Sequence, residues 1–419
     1  MNIVLNNGQE EAVNSAINWY KYSSEQVFQI AGPAGTGKSV VIAEIIKRLG
    51  LRDYQILPMA YTGQACSVMR TRGFANARTI YSGLYTLEYR IKRDEHGVII
   101  RNPVFNTPVK ERYFRPKDPK TLDQNIKLII IDEAFMVPGD MRKVIDNTGI
   151  KILAAGDPNQ LPPVSGNPGF LVSGKVTYLN ELVRQSEESP IIYLATRARN
   201  GLPIEPGLYG KDVLALYNTD LNDSIIASCP VILTDTNAER DNYNDIMRHH
   251  ILNIRSDMPV FGERMVCRKN DWDVLNFEGI PLTNGLAGTI ILPPGVGTRD
   301  SDNTVPLTFL ADISPYYPFR DIRINQKYLN SDAATRYKMH EDRYVKGELF
   351  EYAYAITVHC SQGSEYDCGM YVEGKFNQDV KAARYTAITR FKHQMIYVIH
   401  KPKFWSYYND GGIDFHGTY

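Results

Sequence analysis

Short apolar runs alternate along the chain with longer segments in which apolar residues recur at helical spacing. The run Val27–Ala31 is followed by a segment in which Ile42, Ile45 and Leu49 share one helical face. Three further strand-and-loop segments have the same character: residues 55–65, 127–137 and 150–164. Apolar strands with helices between them predict a doubly wound parallel sheet of the α/β class, with functional loops at the carboxyl ends of its strands.

The same pattern returns in the second half of the chain, in residues 230–244 and 393–400. Between them, residues 263–347 are rich in Gly, Pro, Asp and Asn and contain only short apolar runs, such as 288–292. We therefore predict a second α/β domain interrupted by a small all-β insert. The total length of 419 residues also favours two or more domains.

Composition narrows the class of protein. No apolar run approaches the roughly 18 to 20 residues of a membrane span, and the polar N-terminus does not resemble a signal peptide. The five cysteines are scattered and form no CxxC pair, which predicts a reducing compartment without a disulfide framework. Lys plus Arg and Asp plus Glu number 47 each, so the net charge does not indicate nucleic-acid binding.

One segment departs from this charge balance. Residues 90–117 contain eight Lys and Arg against three Asp and Glu, an excess of five positive charges. Such a stripe is enough to contact a nucleic-acid backbone. Taken alone, however, a solvated basic face is the more common explanation of such a segment.

The strongest chemical motif follows the first predicted strand. The stretch GPAGTGKS, residues 32–39, fits G-x-x-x-x-G-K-[ST] between a strand and an amphipathic helix. Its glycines, including Gly35 and Gly37, let backbone N–H groups around Thr36 wrap a phosphate at the helix N-terminus. Lys38 reaches the β- and γ-phosphates and Ser39 offers a hydroxyl to Mg²⁺, so ATP and Mg²⁺ are the predicted cofactors.

Two further strands end in groups that suit hydrolysis. The strand LIIID ends in Asp132, a second predicted Mg²⁺ ligand, next to Glu133, which can orient and deprotonate a water. A kinase has no need of that base, so the pair favours an ATPase. Gln160, in GDPNQLPPV, can contact the γ-phosphate or the water, although alone this stretch is an ordinary proline-rich turn.

The stretch ITVHCSQGSEYD, residues 356–367, suggests three alternatives: a cysteine nucleophile, half of a metal site, or no chemistry of its own. His359 and Cys360 are neighbours, so in a strand they point to opposite faces. No orienting acid or CxxC partner is apparent elsewhere. The third alternative is therefore favoured.

Taken together, the motifs resemble those of superfamily 1 helicases, and most resemble the 5′-to-3′ branch with its RecD-like and phage Dda-like members. Eleven motifs follow in the family's order over nearly the whole chain: Gln9 in NNGQEEAV, then GPAGTGKS, AYTGQA, RTIYS, IIIDEA, GDPNQLPPV, LVRQS, ILTDTNAERDNYN, NGLAGTI, ITVHCSQGSEYD and YTAITR. The resemblance implies two RecA-like P-loop domains with parallel sheets, ATP hydrolysed between them, and single-stranded DNA bound across both.

The resemblance also implies roles for individual residues. Gln9 is similar to an adenine-reading glutamine, and Arg184 and Arg390 to two arginine fingers. Gly363 and Glu365 resemble residues on the nucleotide side, Glu365 contacting the ribose or phosphates. The residues that resemble DNA contacts are Thr62, Tyr81, Ser82, Asn237, Thr357, His359 and Ser361.

Several positions depart from the family pattern: Tyr61 in place of proline, Tyr81 of histidine, Phe135 of serine, Cys360 of lysine and Phe391 of alanine. Aromatic rings at positions 61 and 81 can still stack on bases. Loss of the lysine at position 360 removes a phosphate contact. None of these changes removes an atom that ATP hydrolysis requires.

The resemblance yields explicit boundaries: residues 1–85 and 118–187 for the first motor domain, 86–117 for a hairpin or pin insert, 188–261 and 349–419 for the second motor domain, and 262–348 for a small SH3-like barrel. The hairpin is expected to turn at Asp94–Gly97 and is either a pin that splits duplex DNA or a plain structural hairpin.

The expected activity is that of an ATP-dependent DNA helicase that moves 5′ to 3′ on single-stranded DNA. An RNA helicase and a DNA-stimulated ATPase that remodels complexes without unwinding are the alternatives. The expected partners are single-stranded and forked DNA, with a single-stranded DNA-binding protein or replication machinery beyond them. The compact length favours a monomeric phage or bacterial enzyme in the bacterial or infected-host cytoplasm.

Overall fold

The structure is a computed structural model, and it describes residues 4–101, 106–108, 110–163, 166–172, 174–181, 189–295, 302–342, 345–374 and 379–400. The chain forms two compact units. The first consists of the described parts of Met1–Glu188, Arg255–Ala353 and Gln362–Ser364. The second consists of the described parts of Ser189–Ile254, Tyr354–Ser361 and Glu365–Tyr419.

The first part of the chain alternates strands and helices. Its strands are β1 (Val27–Ala31), β2 (Ile56–Ala60), β3 (Arg78–Thr79), β4 (Tyr85–Ile91), β5 (Lys110–Pro116), β6 (Leu128–Asp132), β7 (Lys151–Gly156) and β8 (Val176–Tyr178). Its helices are α1 (Asn7–Tyr22), α2 (Lys38–Leu49), α3 (Gly63–Thr71), α4 (Ile80–Leu84) and α5 (Gly139–Asp146). Short 3₁₀ turns occur at Asp53–Gln55, Pro119–Thr121 and Ala134–Met136.

Six of these strands form a parallel sheet in the order β3-β2-β6-β7-β1-β8. The register pairs Ala31 with Gly156 and Ala60 with Asp132. The carboxyl ends of these four strands therefore lie along one edge of the sheet, which is where ligand-binding loops occur in such folds.

Both faces of this sheet are covered, which is why its strands are apolar throughout rather than alternating. One core cluster joins α1, α2 and α3 to the sheet, with Val13, Ile45 and Met69 buried. The other joins α4 and α5, with Leu84 and Met141 buried. The predicted doubly wound α/β arrangement is present.

The basic segment forms an antiparallel hairpin between β4 and β5, with Tyr85 opposite Pro116 and Ile91 opposite Lys110. The expected turn at Asp94–Gly97 forms, since the Asp94 carboxylate accepts the amides of His96 and Val98 and Gly97 has φ 79°. Beside this turn, Arg93 and Ile99 form an isolated antiparallel β-bridge. The predicted turn is therefore present, while β4 itself pairs with residues 110–116.

The remaining strands are β9 (Gly207–Tyr209), β10 (Val213–Tyr217), β11 (Ile232–Thr234), β12 (Arg264–Cys267), β13 (Asp271–Leu275), β14 (Pro281–Leu282), β15 (Ala287–Leu292), β16 (Thr304–Ala311), β17 (Phe319–Asn325), β18 (Phe350–Tyr352), β19 (Ala355–Thr357), β20 (Tyr366–Val372) and β21 (Phe391–Ile399). The helices are α6 (Pro190–Arg199), α7 (Asp223–Ala227), α8 (Asn237–Asp245), α9 (Gln326–Leu329), α10 (Ala333–Glu341) and α11 (Val380–Ile388). Two shorter elements are a 3₁₀ turn at Asn218–Asp220 and a π-helix at Ile246–Ile251 that extends α8.

The second unit contains a six-stranded sheet in the order β19-β11-β20-β21-β10-β9. All neighbours are parallel except the edge strand β9, which runs antiparallel to β10. Its core includes three fully buried tyrosines: Tyr371, Tyr385 and Tyr397. Buried tyrosines need partners for their hydroxyls, and two of these hydroxyls donate to the carboxylates of Asp235 and Glu373.

The insert consists mainly of β-strands, but it also contains α9 and α10, whose first turns are capped by Asn325 and Asp332. The prediction of an all-β insert was therefore wrong. Five antiparallel strands follow the order β17-β16-β15-β12-β18 around a core that includes Phe309, Phe319 and Phe350, and β13 and β14 form a separate hairpin. The insert falls in the same compact unit as the first sheet. Its SH3 likeness and the domain boundaries drawn from sequence remain predictions. Across the described ranges, no helix has the length and apolarity needed to cross a membrane.

Candidate functional site

The phosphate loop connects β1 to α2 at the carboxyl edge of the first sheet. Gly35 and Gly37 have φ of 83° and 79°, values that favour glycine. A Cβ on Gly32 would lie 2.7 Å from the Thr36 hydroxyl and 2.8 Å from the Leu179 carbonyl. A side chain is therefore excluded at position 32, and the backbone N–H groups of the loop and the first turn of α2 suit an anion.

Lys38 and Ser39 begin α2 at the mouth of this loop. The Lys38 ammonium donates to the carbonyls of Gly32 at 2.8 Å and Pro33 at 3.1 Å, so the cation is held over the loop. The Ser39 hydroxyl accepts a hydrogen bond of 2.7 Å from the Arg72 guanidinium. Arg72 was missed by the sequence analysis, because it lies just beyond α3 in no recognised motif.

The acidic pair lies at the end of β6 on the same edge. Asp132 accepts the backbone N–H of Glu133 at 3.0 Å. Glu133 has φ 49°, a left-handed conformation that is uncommon for a residue other than glycine. Such local strain is concentrated at functional sites, and here it turns the chain sharply after the strand.

Gln160 lies in the loop after β7. Its side chain is buried, and its amide oxygen has no hydrogen-bond partner among the described residues. Asp157 shapes this loop by accepting both the backbone and the side-chain amide of Asn159. A buried acceptor without a partner is costly, so the Gln160 oxygen is suited to bind a donor that a ligand or its water would supply.

Gln9, near the start of α1, is buried next to the phosphate loop. Its amide nitrogen donates to the Thr36 carbonyl at 2.9 Å, and its oxygen accepts the Asn6 backbone N–H at 3.1 Å. The two bonds tie the helix N-terminus to the phosphate loop. The structure thus places Gln9 at the predicted nucleotide site, and adenine recognition remains a prediction.

These residues fit a Mg²⁺-bound nucleotide. The loop leaves no room for a Cβ at Gly32, and the Gln160 oxygen has no hydrogen-bond donor among the described residues. The oxygens of Ser39 and Asp132 are the ligand type that Mg²⁺ prefers. Ser39 and Asp132 would hold the ion, and Lys38 would face the phosphates. When bound, Mg²⁺ would neutralise charge on the phosphate oxygens.

Three residues predicted to contact DNA lie in the first unit. Thr62 caps α3 by accepting the Ala65 N–H at 3.2 Å, and the Ser82 hydroxyl donates to the Thr79 carbonyl at 3.0 Å. The Tyr81 ring packs against Phe114 of the hairpin with centroids 4.8 Å apart. Burial raises the pKa of the Tyr81 hydroxyl.

Next to Ser82 is a cavity of about 310 Å³. Its polar lining includes Arg70 and Arg78 on the side of the first sheet, and Thr283 and Pro281 contribute from the insert. Two guanidinium groups and several hydroxyls in one cavity suit an anionic or polar ligand. The insert thus takes part in a surface that the sequence motifs assigned to the first sheet alone.

Four predicted DNA contacts belong to the second unit. Asn237 is exposed at the first position of α8. Thr357 and Ser361 are buried, and the Ser361 hydroxyl donates to the Val358 carbonyl at 2.8 Å, so this bond would have to break before Ser361 could contact a strand. Burial lowers the pKa of His359, which favours the neutral imidazole.

Gly363 lies against the first turn of α3. It has φ 79°, and a Cβ there would be 2.8 Å from the Cβ of Ala65 and 3.1 Å from the Thr62 hydroxyl. That Gly363 faces the nucleotide stays a prediction.

The remaining predicted residues belong to the second unit or are not described. Glu365 is exposed and forms an ion pair of 3.1 Å with Lys392. Arg390 is buried, and its Nε donates to the Thr386 carbonyl at 3.1 Å. Arg184 lies outside the described residues. Groups of three or more His, Cys, Asp or Glu that could hold a metal ion are absent from the described part of the chain.

Comparisons with known proteins agree with this geometry. Residues 4–209 match the family model of an AAA domain. A Pif1 helicase from Bacteroides, in complex with ADP-AlF3 and single-stranded DNA, superposes with a TM-score of 0.54, covering 98% of this chain and 99% of that one at 16% identity. Pif1 from Candida albicans matches with a TM-score of 0.51 at 17% identity, over 95% of this chain and 96% of that one. The chain has the same fold as these Pif1 helicases.

Among curated proteins, an uncharacterized protein of Acanthamoeba polyphaga mimivirus is 27% identical over 168 residues. That match covers 38% of this chain and 34% of the viral protein, so the chain matches about a third of the length of this relative. The Pif1-type fold confirms the predicted pair of RecA-like α/β domains. The Dda-like and phage assignments stay predictions.

Proposed function

We propose that this protein is an ATP-dependent DNA helicase that moves 5′ to 3′ along single-stranded DNA. One observation carries the proposal: the register of the first sheet aligns four loops on one edge. Ala31 pairs with Gly156 and Ala60 with Asp132, so the phosphate loop, the Asp132–Glu133 pair, the Gln160 loop and the Thr62 turn are neighbours. The loops predicted to bind the nucleotide and the turn predicted to contact the DNA strand therefore lie on the same edge of the sheet.

The hydrolytic step follows from these side chains. Lys38 stabilises negative charge on the phosphates, and Glu133 orients the attacking water and accepts its proton. Gln160 accepts a hydrogen bond from the attacking water through its otherwise unpartnered oxygen, and its side-chain NH2 donates to the γ-phosphate. The side-chain NH2 of Gln160 distinguishes the bound nucleoside triphosphate from the diphosphate, because only the former brings a γ-phosphate to the loop.

The DNA component of the proposal rests on surfaces and on the fold. The solved Pif1 helicases of this fold include complexes with single-stranded DNA and with forked double-stranded DNA. In this chain the hairpin exposes Tyr89 and Val98, and the Arg90 guanidinium lies 4.5 Å from the centre of the Tyr113 ring. Exposed aromatic and basic groups on a protruding hairpin suit base stacking and phosphate contact, and we assign the hairpin the role of a pin.

Strand displacement on forked duplexes tests the proposal. Substrates carry a 5′ or a 3′ single-stranded tail, and each is made with DNA or RNA in the tailed strand. We expect ATP-dependent separation of the DNA duplex with the 5′ tail. Unwinding only of the substrate with the 3′ tail would show that the protein moves 3′ to 5′. Preference for RNA substrates would support the RNA helicase alternative.

A different result would indicate a remodelling ATPase. In that case single-stranded DNA stimulates ATP hydrolysis, yet no substrate is separated, and the protein instead strips a bound protein from DNA. We further propose that the helicase acts as a monomer in bacterial or infected-host cytoplasm, together with a single-stranded DNA-binding protein. Light scattering in the presence of forked DNA tests the monomer.

A further inference from the structure

Three residues of the chain, Gln362–Ser364, are grouped with the first unit although the residues on both sides of them belong to the second. Gln362 and Ser364 are almost fully buried, each 2% exposed. A segment this short has no core of its own. Its position must therefore be set by the specific contacts that it makes with the first sheet and its loops.

The first contact involves Gln362. Its side-chain amide donates to the Leu161 carbonyl at 2.9 Å, in a hydrogen bond buried from solvent. Leu161 directly follows Gln160 in the loop after β7. A buried amide that loses its partner is destabilising, so this bond fixes the position of the Leu161 peptide. That peptide in turn sets where the unpartnered oxygen of Gln160 lies.

The second contact involves the next residue, Gly363. Its backbone approaches the first turn of α3 so closely that a Cβ would lie 2.8 Å from the Ala65 Cβ and 3.1 Å from the Thr62 hydroxyl. Gly363 also has φ 79°, which favours glycine. The same three-residue segment therefore contacts the turn predicted to bind the DNA strand.

We propose that Gln362 is a positioning residue that couples strand binding at the Thr62 turn to the Gln160 loop. Because Gln362 and Gly363 are consecutive, a shift of the Thr62 turn on strand binding is transmitted through Gly363 to the Leu161 carbonyl. The Gln160 oxygen then moves relative to the phosphate loop. The inference rests on the proposed function and assigns Gln362 no contact with nucleotide or DNA.

The test compares Gln362→Met with Gln326→Met. Methionine keeps the volume of glutamine and removes the donor. Gln326 is also buried in the first unit, and its amide donates to the Asp257 carboxylate at 2.9 Å in the same unit, so it controls for the loss of one hydrogen bond. The measurements are kcat and KM for ATP, each with and without single-stranded DNA, and the thermal midpoint.

For Gln362→Met we expect the stimulation of kcat by DNA to fall about tenfold, the size of a typical coupling between two sites. The KM for ATP, the affinity for single-stranded DNA and the unstimulated kcat should stay within about twofold of wild type. Gln326→Met should lower the thermal midpoint to a similar extent but keep full stimulation. Unchanged stimulation in Gln362→Met, or an equal loss in both variants, would overturn the proposal.

Two more variants keep the test decisive if Gln362→Met folds poorly. Gly363→Ala removes no hydrogen bond, but it forces the segment away from Thr62, and we expect the same loss of stimulation. In the double variant Gln160→Met/Gln362→Met, stimulation should be no lower than in Gln160→Met alone, because both changes act through one oxygen. Additive losses would contradict this route.

The outcomes separate this inference from the proposed function. If the wild-type protein hydrolyses ATP without any stimulation by DNA, the proposed helicase fails before Gln362 is considered. If the wild type is stimulated and unwinds forks while Gln362→Met behaves identically, only the coupling role fails.

Discussion

The two parallel sheets present the same kind of edge but use it differently. In the first sheet, the edge carries a glycine loop that excludes a side chain at position 32 and a buried glutamine oxygen without a described partner. In the second sheet, the corresponding loop after β11 contains Asp235, whose carboxylate accepts the Tyr371 hydroxyl at 3.0 Å and the Gly374 N–H at 2.8 Å. The first edge keeps a hydrogen-bond acceptor available for a ligand, whereas the carboxylate of Asp235 at the second edge is bonded within the protein.

The loops at the second edge also contain a cluster of charged side chains. Glu373 accepts from Arg384 and from the Tyr397 hydroxyl, close to Asp235. Burial is the main cause that raises the pKa of Asp235 to about 6, and the charges of Glu239 and Glu373 add to it. Repeating the α/β architecture therefore does not repeat the chemistry. A ligand site requires groups left unsatisfied, whereas a well-anchored turn requires every group to be bonded.

The largest expected effect comes from removing the cation at the first edge. We predict that Lys38→Ala lowers DNA-stimulated ATP turnover by at least about 100-fold, because the phosphates lose a positioned charge. Steady-state ATPase assays check this. The control is Lys47→Ala on the same helix, where the side chain is exposed and paired with Glu44. Normal turnover in Lys38→Ala would remove the nucleotide site from the first sheet.

The second prediction separates binding from chemistry at the same edge. Glu133→Gln keeps the shape of the side chain but removes the base, so hydrolysis should fall about 100-fold while ATP binding persists. A fluorescent ATP analogue measures affinity, and single-turnover assays measure hydrolysis. A variant that hydrolyses ATP at the wild-type rate would show that another group activates the water.

The third prediction asks whether the second sheet contributes to turnover. Arg390→Ala should keep ATP binding but lower the rate of hydrolysis about 30-fold. The family resemblance gives this arginine a role in stabilising the negative charge that develops on the γ-phosphate. Since Arg390 is buried and bonded to Thr386, Arg390→Lys and a thermal melt distinguish lost chemistry from lost folding. The nearby, more exposed Lys392 provides a control as Lys392→Ala. Wild-type hydrolysis in Arg390→Ala would restrict the chemistry to the first sheet.

The fourth prediction concerns the internal contacts of the second edge. The pKa of Asp235 is about 6 in the folded protein against an ordinary 3.8, so folding favours its protonated form. The stabilising contribution of this proton is fully present below about pH 4 and is lost as the pH rises through 6. Between those values the free energy of unfolding should fall by an amount on the order of 2 kcal/mol at this group.

Chemical denaturation at pH 4.5 and pH 7 tests the fourth prediction by comparing wild type with Asp235→Asn, which cannot titrate. The variant should show a smaller difference between the two pH values. An identical pH dependence in Asp235→Asn and wild type would show that Asp235 does not titrate in this range.

The smallest effect is expected at Cys360, where the family pattern has lysine. Cys360→Lys should tighten binding to single-stranded DNA about threefold and steepen the salt dependence by about one phosphate contact. Fluorescence anisotropy at several salt concentrations measures both, with Cys360→Ser as the neutral control. An unchanged salt slope would place residue 360 away from the strand.

Local chemistry could be predicted from the sequence where a few consecutive residues are enough to define it. The glycine loop with Lys38 and Ser39, the strand ending in Asp132, and the short strands of the insert each depend on residue types at short spacing. The two α/β sheets followed in the same way, since apolar strands buried on both faces have a distinctive pattern. These features appear in the structure as expected.

Contacts between distant segments were decided only by the tertiary structure. The Gln362–Leu161 bond joins residues 201 positions apart, and the Arg72–Ser39 bond joins a helix end to the phosphate loop 33 positions away. Strand β4 pairs with residues 110–116 although a good turn lies nearer. Which distant residues meet depends on the path of the backbone in the folded protein, and residue type alone does not specify that path. The sequence therefore determined which groups the site contains, and the fold determined which of them touch.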